Sequence, residues 1–178
     1  MDKTANIGLI VGAALLAVGT YFLLKDRKQQ TNNIDIDMDN NNIKIPRGYR
    51  NNNPLNIKIN SKNNWQGKIL PNTDGTYEQF KSIEYGYRAA LVLLRNYIKD
   101  GDNTVAAIIS RWAPANENNT TGYINRVCST TGFVPGTVIA YNDKNALCKL
   151  VYAMAIVENG VFPNQPVMAE IEKGWSML

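Results

Sequence analysis

The chain has 178 residues, 44% of them hydrophobic, enough for one compact domain with an appendage. Its formal net charge of +4 is mild, and no Lys/Arg stripe is interleaved with aromatics, so nucleic-acid binding is not expected. The chain contains no histidine, which excludes Ser-His-Asp and Cys-His nucleophiles and His-based zinc sites and leaves Asp, Glu, Lys or Tyr for any acid–base chemistry.

Ile7 to Leu24 carries eighteen residues without a charge, the length of a membrane span. Residues 1–25 are therefore expected to form an N-terminal transmembrane anchor. A cleaved signal peptide is the rival, but the leading MDK is short and no small-x-small cleavage site follows. Lys25, Arg27 and Lys28 follow the span, against Lys3 before it. That bias directs the C-terminal part to the cytoplasmic face.

Residues 26–46 form a polar linker rich in Asn and Asp, without helical periodicity. The alternation from Ile34 to Asp37 fits a short strand. Asp35, Asp37 and Asp39 resemble the start of a calcium loop, but the Gly and the closing Glu are missing, so no metal site is expected.

Residues 47–178 carry the core pattern. Asn51, Asn52, Asn53 and Asn56 crowd around Pro54, which favours an irregular, hydrogen-bonded loop. Trp65–Leu70 and Thr76–Phe80 flank Pro71-Asn72-Thr73-Asp74-Gly75, a hairpin signal. Amides pair with the hydroxyl and acetamido groups of sugars, and the indole of Trp65 could cover a sugar's apolar face. A surface loop that uses Asn for its turns accounts for the same residues.

Helical spacing then takes over. Ile83, Tyr87, Leu91, Leu94 and Ile98 make one stripe, and Val105, Ile108, Ile109 and Trp112 a shorter one. Thr120 or Thr121 can cap a helix that turns Ile124, Val127 and Cys128 inward and ends before Gly132. Leu147, Leu150, Val151 and Met154 line the next, and Val167, Met168, Ile171 and Trp175 a last one. Four or five helices around one small hairpin make a mainly helical α+β domain. Cys128 and Cys148 fall on apolar helix faces, as small core residues or as a disulfide if those helices meet.

Glu158 lies on the Val151–Met154 stripe, just before Gly160. A carboxylate on the core side of a last helical turn is costly. Desolvation there favours the protonated carboxyl, the form a general acid at a glycosidic oxygen needs. The alternative is a structural acid that bonds backbone amides or pairs with Arg88 or Arg126. Glu117 precedes a helix start, where the dipole favours a carboxylate in any case. Turn geometry accounts for Asp74, and a solvated strand face for Glu78.

The segments RNNNPLNI (Arg50 to Ile57), Trp65-Gln66-Gly67, Phe80 with Tyr85-Gly86-Tyr87-Arg88-Ala89, RWAPANENNTTGYI (Arg111 to Ile124) and Glu158-Asn159-Gly160 resemble a family of virion-associated, lysozyme-like peptidoglycan hydrolases and lytic transglycosylases of phages. The pattern departs at Leu55, where Gly is usual, and at Val157, where His is common. Ala153 to Asn164 is similar to the catalytic helix of lytic transglycosylases, whereas NNPLNIK, WQG and the hairpin are similar to the part that follows that helix in bacterial glucosaminidases. The resemblance thus implies a lysozyme-like domain with its elements in circularly permuted order, and that order requires the Arg50–Asn56 loop to lie near Glu158.

The same resemblance implies cleavage of peptidoglycan strands at the β-1,4 bond between N-acetylmuramic acid and N-acetylglucosamine, without a cofactor. Glu158 would be the catalytic acid and base, with Glu117 the secondary candidate for a two-carboxylate route. Asn51, Asn52, Asn53, Asn56 and Tyr123 would orient the sugars, and Trp65 would stack on them. Residues 7–24 would hold the enzyme in lipid, as a single-pass protein of the host inner membrane during assembly and of an internal virion membrane afterwards. The rival expectation is a non-catalytic virion protein that links the membrane to capsid or vertex proteins.

Overall fold

The computed structural model of the protein describes residues 45–160 and 166–178, together with two short strands, β1 (Ile36–Asp37) and β2 (Asn42–Ile43). The strands pair antiparallel, with Ile36 opposite Ile43 and Asp37 opposite Asn42. The apolar stretch at 7–24 lies outside the described residues. Among the described residues, no helix is long and apolar enough to cross a membrane. The chain divides between Lys44 and Ile45, and Ile45–Leu178 forms one compact unit.

That unit is mainly helical. In chain order come α1 (Arg47–Arg50), α2 (Ile83–Lys99), α3 (Val105–Trp112), α4 (Thr120–Thr131), α5 (Lys144–Asn159) and α6 (Met168–Ser176). The periodic stripes become the core: Tyr87, Leu91 and Leu94 of α2, Val105, Ile108 and Ile109 of α3, and Leu147, Leu150, Val151 and Met154 of α5 are fully buried. Helix α5 is central, packing against α4, α6, α2 and the one-turn α1. Its start is capped by Asp143, whose side chain accepts from the Ala146 N–H at 3.0 Å. Helix α4 is capped by Asn119 rather than by either threonine. Thr120 is buried and donates instead to the Ala113 carbonyl, closing the 113–119 loop. Cys128 and Cys148 are free thiols, and burial pushes that of Cys148 up to about 11.

The expected hairpin does not form a strand ladder. Residues 76–80 run between two neighbours instead, with isolated bridges from Tyr77 to Lys58 and from Phe80 to Lys68. Glu78 N–H donates to the Ile57 carbonyl at 2.8 Å, and Ile69 N–H donates to the Gln79 carbonyl at 2.8 Å. Each neighbour pairs for only a residue or two before it bends away, so the segment divides its backbone bonds between both sides. Glu78 is not on a solvated face either. It is fully buried and accepts from Lys68 Nζ at 2.9 Å.

The asparagine loop holds this arrangement together. Asn53 is completely buried; its amide donates to the carbonyls of Ile57 and Glu78 at 3.0 and 2.9 Å, and its oxygen accepts from Ile57 N–H at 2.9 Å. Asn52 and Asn56 sit at φ of 49° and 50°, a left-handed backbone that asparagine tolerates better than most residues. Leu55 has no positive φ and is fully buried in the core. Gly48 and Gly86 let the flanking helices close on the loop. A Cβ at Gly48 would strike the Asn159 side chain, and one at Gly86 would strike the Asn52 carbonyl.

Asn53→Ala leaves two backbone carbonyls and one N–H without these partners in the interior, and is expected to cost about 2–3 kcal/mol. Urea unfolding followed by circular dichroism would measure it. A midpoint equal to that of the wild type would contradict the role assigned to Asn53.

Candidate active site

Glu158 closes the last turn of α5, where the chain ends the helix at Gly160 with φ 75°. Its carboxylate does not rest on an apolar wall. Three donors from three separate segments converge on it. Trp112 Nε1, at the end of α3, and Tyr123 Oη, in α4, both donate to Oε1 at 3.0 Å. Asn56 Nδ2 donates to Oε2 at 3.2 Å. Burial, then the neighbouring carboxylate, holds the Tyr123 hydroxyl far above the usual phenol range, so it remains a donor at any working pH. The cations considered from the sequence do not serve Glu158. Arg88 donates to the Met177 carbonyl and Arg126 is exposed.

Asn159, the next residue, fixes the loop to the same helix end. Its amide donates to the Pro54 carbonyl at 2.6 Å and to the Ala155 carbonyl at 3.0 Å. The Arg50–Asn56 loop therefore does lie against Glu158, a separation of 102 positions for the Asn56 bond.

Glu158 opens into a cleft of about 550 Å³. Its lining comes from residues 55–63, including Asn56, Lys58, Asn60 and Asn63, and from Trp112, Ala113, Glu117 and Asn118, together with Tyr77, Leu93 and Tyr97. Glu117 is exposed and pairs with Lys58 across the cleft at 3.6 Å. Amides, aromatic rings and one half-buried acid suit a polar ligand with apolar faces, such as a sugar chain. Among the described residues, no three His, Cys, Asp or Glu side chains converge as metal ligands do.

The other residues singled out from the sequence lie elsewhere or are already occupied. Asn51 donates to Asp74 at 2.7 Å and accepts from Gln79 at 3.1 Å, and Asn52 donates to the Phe80 carbonyl at 2.9 Å. With Asn53, they shape the loop, and Asn56 alone of the four lines the cleft. Trp65 packs half-buried against the core and is not part of the cleft. Tyr123 is buried behind Glu158 and orients that acid. Trp112 was legible only as part of a core stripe. The usable signal was its indole N–H, which needs a partner when it is buried. Tyr77, Tyr97 and Lys58 carried no comparable signal, because their place in the cleft depends on how distant segments meet.

Asp74 is the anchor of its turn. Arg47 donates to it twice, at 2.8 and 2.6 Å, and Asn51 and the N–H groups of Thr76 and Tyr77 also donate. The Arg47 guanidinium, ahead of these others, holds the Asp74 carboxyl far below its usual range. A carboxylate depressed in the folded state stabilises above its unfolded pKa, near pH ~4, and that contribution fades as pH falls below it. Asp74→Asn should therefore flatten the loss of melting temperature between about pH 4 and pH 2. An acid limb as steep as that of the wild type would contradict this assignment.

No protein-family model matches the chain. It is similar to Protein P5 of Pseudoalteromonas phage PM2, with 41% identity over 132 residues that span 72% of this chain and 79% of the phage protein.

Proposed function

The chain belongs to the family of Protein P5 of Pseudoalteromonas phage PM2, and from that premise we propose that it is a membrane-anchored virion protein that cleaves peptidoglycan strands as the phage enters its host. The observation that carries the reading is the convergence on Glu158: a half-buried acid at a helix end, held by Trp112, Tyr123 and Asn56, opening into a cleft lined by amides and aromatic rings. A lysozyme-like domain in permuted order accounts for Asn56, from the start of the domain, meeting an acid from near its end.

In this mechanism Glu158 protonates the leaving glycosidic oxygen. It then takes a proton from the sugar's own 6-hydroxyl, as a lytic transglycosylase does, or from water, as a hydrolase does. Trp112 and Tyr123 fix one of its oxygens by donation. Oε2, bonded to Asn56 alone, is the oxygen left to carry the proton that is given to the leaving oxygen and then taken back. Glu117 lines the same cleft and is the candidate second carboxylate for the hydrolytic route. Asp74 and Glu78 are committed to Arg47 and Lys68. The uncharged stretch at 7–24 would hold the domain beside a membrane, and an internal virion membrane would bring it to the wall during infection.

A second reading has its own observation. Three donors on one carboxylate also tie α3, α4 and the asparagine loop to α5, which is what a structural acid does in a virion protein that links membrane to capsid or vertex. Peptidoglycan clearing by the detergent-solubilised full chain distinguishes the two. The enzymatic reading expects clearing to fall about a hundred- to ten-thousandfold in Glu158→Gln and to survive in Glu117→Gln if the transglycosylase route operates. Clearing unchanged in Glu158→Gln would refute the assignment.

A further inference from the structure

The cleft beside Glu158 contains a group that a neutral sugar chain does not call for. Among its described lining residues, Lys58 is the one basic side chain. It lies two positions past the asparagine loop, with the amides of Asn60, Asn63 and Asn118 in the same lining. Its counter-ion is Glu117, at 3.6 Å, and the two side chains are 70% and 58% exposed. An ion pair this long and this exposed contributes little to stability. An anionic group on a ligand can therefore take the place of Glu117 at little cost, whereas hydroxyl and acetamido groups are served by amides and rings alone.

We propose that Lys58 reads a carboxylate carried by the glycan, with Glu117 as its partner until the ligand arrives. The inference rests on the glycan-cleaving reading and assigns to Lys58 the preference for acid-bearing sugar chains over neutral ones. In peptidoglycan that carboxylate belongs either to the lactyl group of N-acetylmuramic acid or to the attached peptide. A polymer of N-acetylglucosamine has neither. Lys58 is thus a specificity residue, and the chemistry at Glu158 does not depend on it.

The test measures binding by the detergent-solubilised full chain carrying Glu158→Gln, so that no ligand is consumed. The ligands are a neutral N-acetylglucosamine tetramer and an alternating N-acetylmuramic acid tetramer, the latter without and with its peptides. Lys58→Gln is expected to weaken binding of an acid-bearing tetramer about five- to tenfold and to leave the neutral one within about twofold. The acid-bearing tetramer that responds identifies which carboxylate is read.

Glu117→Gln, which frees Lys58 and keeps the loop side chain's size, is expected to tighten acid-bearing ligands about two- to threefold. The exchange Lys58→Glu with Glu117→Lys restores the ion pair but moves the cation, and should bind acid-bearing tetramers as weakly as Lys58→Gln does. Equal losses for neutral and acidic ligands, or recovery in the exchange, would mean that the pair only braces the cleft, and would overturn the proposal while the glycan reading stands. No binding of any tetramer would overturn both.

Discussion

The fold of this domain depends on tying the asparagine loop to the end of α5. Two adjacent residues do it: Asn159 holds the Pro54 carbonyl, and Glu158 accepts from Asn56. Without those bonds, a helix end with a carboxylate and a loop with two left-handed asparagines would each be left with unmet polar groups. With them, the Pro54 carbonyl and the Glu158 carboxylate are served, while Asn56 Oδ1 and Asn159 Oδ1 stay buried without a hydrogen-bond partner. The same junction recruits Trp112 and Tyr123, so one carboxylate receives donors from three segments that are remote in sequence. A buried acid is costly when it stands alone and tolerable when its oxygens are used. Glu158 is of the second kind.

Much of the helical scaffold was legible in the sequence because apolar spacing is a local signal. The stripes through Leu91, Ile108 and Leu150 were enough to set α2, α3 and α5 and the residues they bury. Glu158 stood out for the same reason, as a charge on an apolar stripe. The hairpin was legible in part: its flanks do meet, at the bridge of Lys68 with Phe80, but Pro71, Asn72 and Gly75 announce a turn without showing that residues 76–80 also bond to a second neighbour. Residues 76–80 bond to both sides, and Glu78 goes inward with Lys68. Composition marked the asparagines as a group, but their roles diverge. Asn53 is a buried staple, Asn51 and Asn52 brace the turn, and Asn56 reaches the cleft. That division depends on long-range contacts, which local spacing does not encode.

Kinship with a phage protein and the geometry around Glu158 bear on different questions. The first concerns the company the chain keeps, the second its chemistry. The cleft makes the enzymatic reading the more economical one, because a purely structural acid has no need of an opening lined by Asn60, Asn63, Tyr77 and Tyr97. The triple hydrogen bond supplies the counterweight, since it alone would explain an acid at this helix end. The two readings differ on whether Oε2 exchanges Asn56 for a substrate oxygen.

A structure of the Glu158→Gln chain with an alternating N-acetylglucosamine–N-acetylmuramic acid tetramer addresses that difference most directly. The enzymatic account predicts sugar rings in the cleft between Asn56 and Trp112, with a glycosidic oxygen within about 3 Å of the side chain at position 158. A tetramer bound elsewhere, with that side chain still enclosed by Asn56, Trp112 and Tyr123, would contradict it.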